Sequence, residues 1–163
     1  SLFARGLGRY GNLILSRHTV LDSRLHDLSI PGREPRGCIE ATIGCAGARV
    51  RCFATHLGLG RRERMEQVRR LALLLDNVVG TAGLLLGDLN LWRLAASRPL
   101  HARRFVGPAV RSFPTWPTPI VALDRILARL PAAVERCWRH DSPAARVASD
   151  HFPVIAEIRL DAD

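Results

Sequence analysis

Apolar and polar positions change their spacing several times along the chain, and each change predicts an element. Leu84-Leu85-Leu86, bounded by Gly83 and Gly87, is too short for a free-standing helix and reads as a strand buried on both faces. Before it, Met65, Val68, Leu71, Ala72 and Leu75 recur every three or four residues, which predicts an amphipathic helix over residues 62–78. Glu66 and Arg70 lie one turn apart on another face of that helix. Upstream, residues 12–16 and 19–30 read as strands and residues 31–36, with Pro and Gly, as a turn. Residues 38–43 and 50–57 read as a hairpin around Cys45-Ala46-Gly47-Ala48. Downstream, a short helix around Pro99 precedes an irregular, proline-rich loop over residues 106–119. Residues 120–130, 133–140 and 152–160 read as closing strands, with Asp141-Ser142-Pro143 as a turn. Strand, helix and strand around the leucines predict an α/β fold, a sheet covered by helix, as a single domain over residues 1–163.

Composition narrows this picture only in part. A chain of 163 residues, 47% apolar, buries an ordinary globular core. It has no run of about 18 uncharged apolar residues, so no transmembrane segment is expected. Ser1-Leu2-Phe3-Ala4-Arg5 has neither an initiator Met nor the apolar stretch of a signal peptide, and the numbering is expected to begin partway into a longer protein. The net charge of +9 comes from 24 basic residues that are all arginine. The excess favours an anionic, phosphate-bearing partner. Three Trp, five Phe and one Tyr leave little for a stacking platform on single strands. Cys38, Cys45, Cys52 and Cys137 form no C-x-x-C pair and read as free thiols in a reducing compartment. A cytoplasmic location is the default expectation, any targeting segment lying outside this chain.

Four places carry candidate chemistry: His56, Asp88 with Asn90, Asp124, and Asp150 with His151. Asp88 and Asn90 sit two apart after the leucine strand, on one side of a pleated chain, as a hard-metal or phosphate site requires. Singly, each has a plain alternative. Gly-Asp-x-Asn also reads as a polar turn, His56 as a strand-end histidine bonded to a carbonyl, Asp124 as a partner of a nearby arginine, and Ser149-Asp150-His151 as a turn.

As a set they fit a known pattern. The chain resembles the endonuclease/exonuclease/phosphatase superfamily through Gly11-Asn12-Leu13-Ile14-Leu15-Ser16-Arg17, Thr55-His56-Leu57, Gly87-Asp88-Leu89-Asn90, Ser112-Phe113-Pro114-Thr115-Trp116-Pro117, Leu123-Asp124-Arg125-Ile126 and Ser149-Asp150-His151-Phe152-Pro153. The resemblance implies a four-layer α/β sandwich, two packed mixed sheets flanked by helices, and a divalent-metal hydrolase of phosphodiester or phosphomonoester bonds. Its implied cofactor is Mg²⁺, with Mn²⁺ as an alternative, and its implied substrate a nucleic acid or a phospholipid headgroup. It casts His151 as general base, Asp150 and Asp88 as metal-holding groups, and Asn90 as a phosphoryl-oxygen ligand. His56 would contact the phosphate and protonate the leaving oxygen, and Asp124 would orient His56 or a neighbouring group. Asn12 and Trp116 join Asn90 as substrate-binding candidates. The chemistry asks for such groups: a metal neutralises charge and lowers the water's pKa, and a neutral imidazole accepts its proton.

Two departures qualify the resemblance. The family's first strands, with an asparagine and the glutamate that is its principal metal ligand, have no counterpart before Gly11, where no acid occurs. The chain is therefore expected to be a carboxy-terminal portion of the catalytic domain, weak in metal affinity and in hydrolysis. Uncovered apolar surface or a bare sheet edge would invite self-association. Arg125 also stands where many relatives carry an aromatic residue or histidine, which makes the chain look most like uncharacterised bacterial members. The rival reading is a non-catalytic, anion- or protein-binding remnant of the same fold.

Overall fold

The computed structural model describes residues 2–5, 8–45, 47–92 and 94–160. β1 (Leu2–Arg5) and β2 (Gly8–Gly11) pair as a small antiparallel ladder. β3 (Thr19–Asp27), β4 (Gly37–Cys45) and β5 (Ala48–Thr55) follow as an antiparallel meander. α1 (Arg61–Asp76) carries the chain back so that β6 (Ala82–Asp88) pairs parallel with β5. Beyond α2 (Arg98–His101) and the proline-rich loop, β7 (Asp124–Arg129) pairs antiparallel with β6, closing a sheet in the order β3-β4-β5-β6-β7. β8 (Ala132–Arg139), α3 (Pro143–Ala148) and β9 (Val154–Leu160) complete the chain, β8 and β9 forming a second antiparallel ladder.

Two cores explain the layering. On one face of the large sheet, Cys38, Phe53, Leu85 and Leu127 pack against Val68, Leu71 and Leu75 of α1. On the other, Val50, Cys52, Ala82 and Ala128 meet Val134, Ile158 and Leu160 of the β8–β9 ladder. The leucine strand thus lies between a helix and a second sheet, as its double-sided apolar run requires. This is the expected α/β sandwich, with helix, mixed sheet and second sheet stacked in order. No helix among the described residues is long and apolar enough to cross a membrane. The four cysteines are free. Burial pushes the thiol of Cys38 up to about 12 and that of Cys52 up to about 11, so neither is reactive at neutral pH.

Several element boundaries differ from expectation. Residues 12–16 are not a strand: Leu13 and Leu15 are exposed, and no described backbone ladder reaches them. The apolar run has no partner strand among the described residues, and a ladder rather than a run of apolar residues makes a strand. The hairpin of β4 and β5 forms, although Ala46 in its turn lies outside the described residues. The Asp141-Ser142-Pro143 turn is the start of α3: the Ala145 amide donates to Ser142 Oγ at 3.2 Å, with Pro143 at the first helical position. Asp124 opens β7 rather than sitting inside a longer strand, because Val121 bridges only to Phe113 in the proline-rich loop and residues 120–123 carry no ladder to the sheet.

β3 is an edge strand with almost every residue exposed, Leu21 and Leu25 among them, and Leu13 and Leu15 are exposed as well. This chain is therefore expected to self-associate as its concentration rises. Sedimentation velocity should show Leu21→Lys with Leu25→Lys shifting it towards monomer. A wild-type chain that stays monomeric at high concentration would contradict this.

Candidate active site at the strand ends

The parallel pairing of β5 with β6 brings their carboxyl ends side by side, and this pairing builds the site. Gly87 makes the approach possible. Its φ is 130°, and a Cβ there would lie 1.9 Å from the Thr55 carbonyl oxygen. Immediately beyond, the Leu57 amide donates to the Asp88 carbonyl at 2.9 Å, and the Leu89 amide to the Leu123 carbonyl at 3.0 Å. Asp88 and Asp124 are cross-strand partners in the antiparallel β6–β7 pair, so their carboxyls share one sheet end.

His56, Asp88, Asn90, Asp124, Asp150 and His151 line one open cavity of about 540 Å³. His151 Nδ1 lies 2.8 Å from Asp124 Oδ2, which also accepts from Ser112 Oγ at 2.5 Å. His56 Nε2 lies 3.3 Å from Asp88 Oδ2. Asp124 thus holds His151, not His56, whose partner is Asp88.

Asn90 is buried with φ 50°. Its backbone amide donates to Asp88 Oδ1 at 2.9 Å, and its side-chain amide donates to the Leu57 carbonyl at 2.9 Å. One amide hydrogen therefore ties two strand ends together, and only the second is left for a substrate oxygen.

Electrostatics separates these groups. Burial holds His56 below the usual imidazole range, reinforced by the Arg36 charge and outweighing the pull of Asp88. Burial likewise raises Asp88, against the hydrogen bond from Asn90 and the attraction of His56. In a simple ion pair both shifts would have the opposite sign; here desolvation wins for each partner.

Asp88, Asp124 and His151 place one potential ligand atom each within 4.8 Å of one another, the group among the described residues able to hold a metal ion. Two carboxylates suit a hard divalent cation, and the imidazole is compatible with manganese as well. The raised carboxyl of Asp88 fits too, since a nearby cation favours its charged form. Asp150 lines the cavity but is exposed and outside this group, its Oδ1 meeting Ser149 Oγ at 3.4 Å.

The other two candidates fall elsewhere. Asn12 donates to the Gly37 carbonyl at 3.0 Å and lines a neighbouring cavity of about 410 Å³ that shares His56 and Asp88. Trp116 is 82% exposed and lines neither of these cavities. Arg125, adjacent to Asp124 on β7, is buried and donates to the Gly107 carbonyl at 3.4 Å, away from the cavity.

Sequence reasoning missed several supporting residues. Ser112 is buried and fixes Asp124, while its carbonyl accepts the Phe152 amide at 2.9 Å. The Thr115 amide donates to the Asp150 carbonyl, pinning the histidine loop from the same segment. Phe113 packs on the His151 ring with centroids 4.7 Å apart. Gln67 and Arg64, buried on α1, hold the loop after His56: the Gly58 amide donates to Gln67 Oε1 at 2.7 Å, and Arg64 Nη1 donates to the Leu59 carbonyl at 2.7 Å. The available signal was polar residues falling on the buried stripe of the helix.

The sheet, its sandwich partner and the cluster at the strand ends define an α/β sandwich with carboxylates and imidazoles gathered at one end. The chain belongs to the Endonuclease/Exonuclease/phosphatase family, whose model matches residues 2–151.

It is 34% identical over 170 residues to the uncharacterized protein YbhP of Escherichia coli, an alignment covering 94% of this chain and 64% of YbhP. Among solved structures it is similar to the mannosyl-6-phosphatase Bt3783 of Bacteroides thetaiotaomicron, with TM-score 0.69 and 17% identity over 86% of this chain and 67% of that one. It is also similar to D. rerio TDP2 complexed with a single-strand DNA product, with TM-score 0.67 and 18% identity over 88% of this chain and 69% of that one.

Proposed function

We propose that this chain carries the catalytic centre of a divalent-metal-dependent phosphoester hydrolase, with Mg²⁺ or Mn²⁺ as the metal and a phosphodiester or phosphomonoester as substrate. The observation that carries this reading is the convergence of His56, Asp88, Asp124 and His151, from four distant segments, on one open cavity.

With Nδ1 committed to Asp124, His151 offers Nε2 to accept the proton of a water attacking phosphorus. Asp124 fixes that tautomer and favours the imidazolium that forms. Asp88, helped by Asp124 or Asp150, would hold the divalent cation, which neutralises substrate charge and makes water more acidic when bound. Asn90 directs its second amide hydrogen, and His56 its imidazole, to phosphoryl oxygens. The bond to the leaving oxygen breaks as the new P–O bond forms, and the departing alkoxide takes its proton from water in the open cavity.

The test is hydrolysis of bis-p-nitrophenyl phosphate and p-nitrophenyl phosphate, with and without Mg²⁺ or Mn²⁺. Metal-dependent release of nitrophenolate supports the reading. Binding of phosphate with no turnover under any metal, both by this chain and by a longer one that carries the family's first strands, would identify a non-catalytic anion-binding module instead. The same metals are expected to stabilise the fold. At ten times the dissociation constant the gain is about 1.4 kcal/mol, a rise of roughly 3–6 °C in Tm for a domain this size. Asp88→Asn should remove that rise in a thermal melt; a rise that survives would place the metal elsewhere.

A further inference from the structure

We propose that Arg36 is a substrate-binding residue of this site, gripping the non-bridging oxygens of the phosphoryl group; the inference rests on the hydrolase reading above. Arg36 lies just before β4, in a turn whose residues did not enter the candidate site on sequence grounds. The structure places its side chain on the same cavity as His56, Asp88, Asn90, Asp124 and His151. It is the one permanently cationic side chain among the described residues lining that cavity.

Its setting is built rather than incidental. The residue is only 9% exposed. Its backbone is held on both sides: the Leu28 amide donates to its carbonyl at 2.9 Å, and its own amide donates to Ser29 Oγ at 3.2 Å. Nη2 donates to Glu34 Oε2 at 2.8 Å, which aims the guanidinium. Nε is buried without a hydrogen-bond partner. A buried N–H left unsatisfied is costly and calls for an explanation, and a tetrahedral oxyanion in the cavity supplies one.

Charge in the cavity points the same way. Asp88, Asp124 and Asp150 bring three negative charges to its wall when ionised. A divalent cation offsets two of them, and Arg36, although shared with Glu34, weakens the negative field left for an incoming anion. Without Arg36, the repulsion facing the phosphoester grows. A planar guanidinium suits this task because it can present paired N–H donors to phosphate oxygens.

Binding of inorganic phosphate in the presence of Mg²⁺, measured by titration calorimetry on this chain, tests the proposal. Arg36→Gln is expected to weaken phosphate binding about tenfold or more, the effect of losing a charge-assisted pair. Arg36→Lys should retain part of the affinity. Glu34→Gln leaves a neutral acceptor for Arg36 and removes the charge that competes with phosphate, so binding should tighten several-fold, about threefold as a guide. These opposite shifts are not produced by a merely structural Glu34–Arg36 pair, whose loss on either side would weaken binding and lower Tm together. Should Arg36→Gln fail to fold, the directions of Arg36→Lys and Glu34→Gln decide. Unchanged phosphate affinity in Arg36→Gln, or weakening in Glu34→Gln, overturns the inference alone. A wild-type chain that neither binds phosphate nor hydrolyses either ester overturns it together with the hydrolase reading.

Discussion

Replacing His151 with alanine is expected to lower kcat for phosphoester hydrolysis by about 10²–10⁴-fold, the usual worth of a positioned general base. The change removes the nitrogen that would accept the water's proton while leaving Asp88, Asn90 and His56 in place. His151 is half-buried, stacks on Phe113 and bonds one carboxylate. Its loss should therefore cost only about 1 kcal/mol of stability. Asp124→Asn should also lower kcat, with less effect on KM, because it leaves the ring present but poorly directed. Steady-state kinetics beside a thermal melt separates the two effects. Activity that survives His151→Ala would remove the residue from its role.

The second large effect is expected from a residue with no functional group. Gly87→Ala adds a methyl that meets the Thr55 carbonyl oxygen at 1.9 Å, at a φ of 130° that side chains rarely adopt. Backbone strain and overpacking together should destabilise the fold by roughly 2–4 kcal/mol. For a domain of this size that is a fall of roughly 4–16 °C in Tm. Because the clash lies one residue before Asp88 and His56 follows Thr55, hydrolysis should fall even at temperatures where the variant remains folded. Gly32→Ala is the comparison. Gly32 also has a positive φ, 72°, but nothing lies within 4 Å of the added carbon. It should cost only about 1 kcal/mol and leave the site untouched. Equal melting shifts for the two variants would contradict the close approach of β5 and β6 as the determinant.

The elements with the strongest periodicity were legible in the sequence. The three leucines predicted a strand covered on both faces, and Leu85 indeed meets α1 while Leu84 meets the second sheet. The helix came within one or two residues of its observed span, because its apolar stripe had to face that sheet. Residues 12–16 misled, since a short apolar run suggests a strand but does not supply a hydrogen-bonding neighbour. The helix at Pro143 was hidden by reading Ser-Pro only as a turn, although the same pair is a helix start.

For the candidate site, residue types at strand ends indicated which groups sit near one another but not who pairs with whom. Asp124 is 27 positions from His151 and bonds it only because β7 begins beside the histidine loop. Asn90 looked like a ligand, yet part of its side chain closes the gap to Leu57. Ser112 was marked only as part of a motif and Arg36 only as part of a turn, since a turn arginine and a loop serine have no assignable role until a cavity forms around them.

Anomalous diffraction from crystals soaked in Mn²⁺ and phosphate tests the shared centre most directly. The expected result is a manganese peak within coordination distance of Asp88, with phosphate density between it and His151. Manganese bound away from Asp88, or phosphate ordered at a different surface while this cavity stays empty, would contradict it.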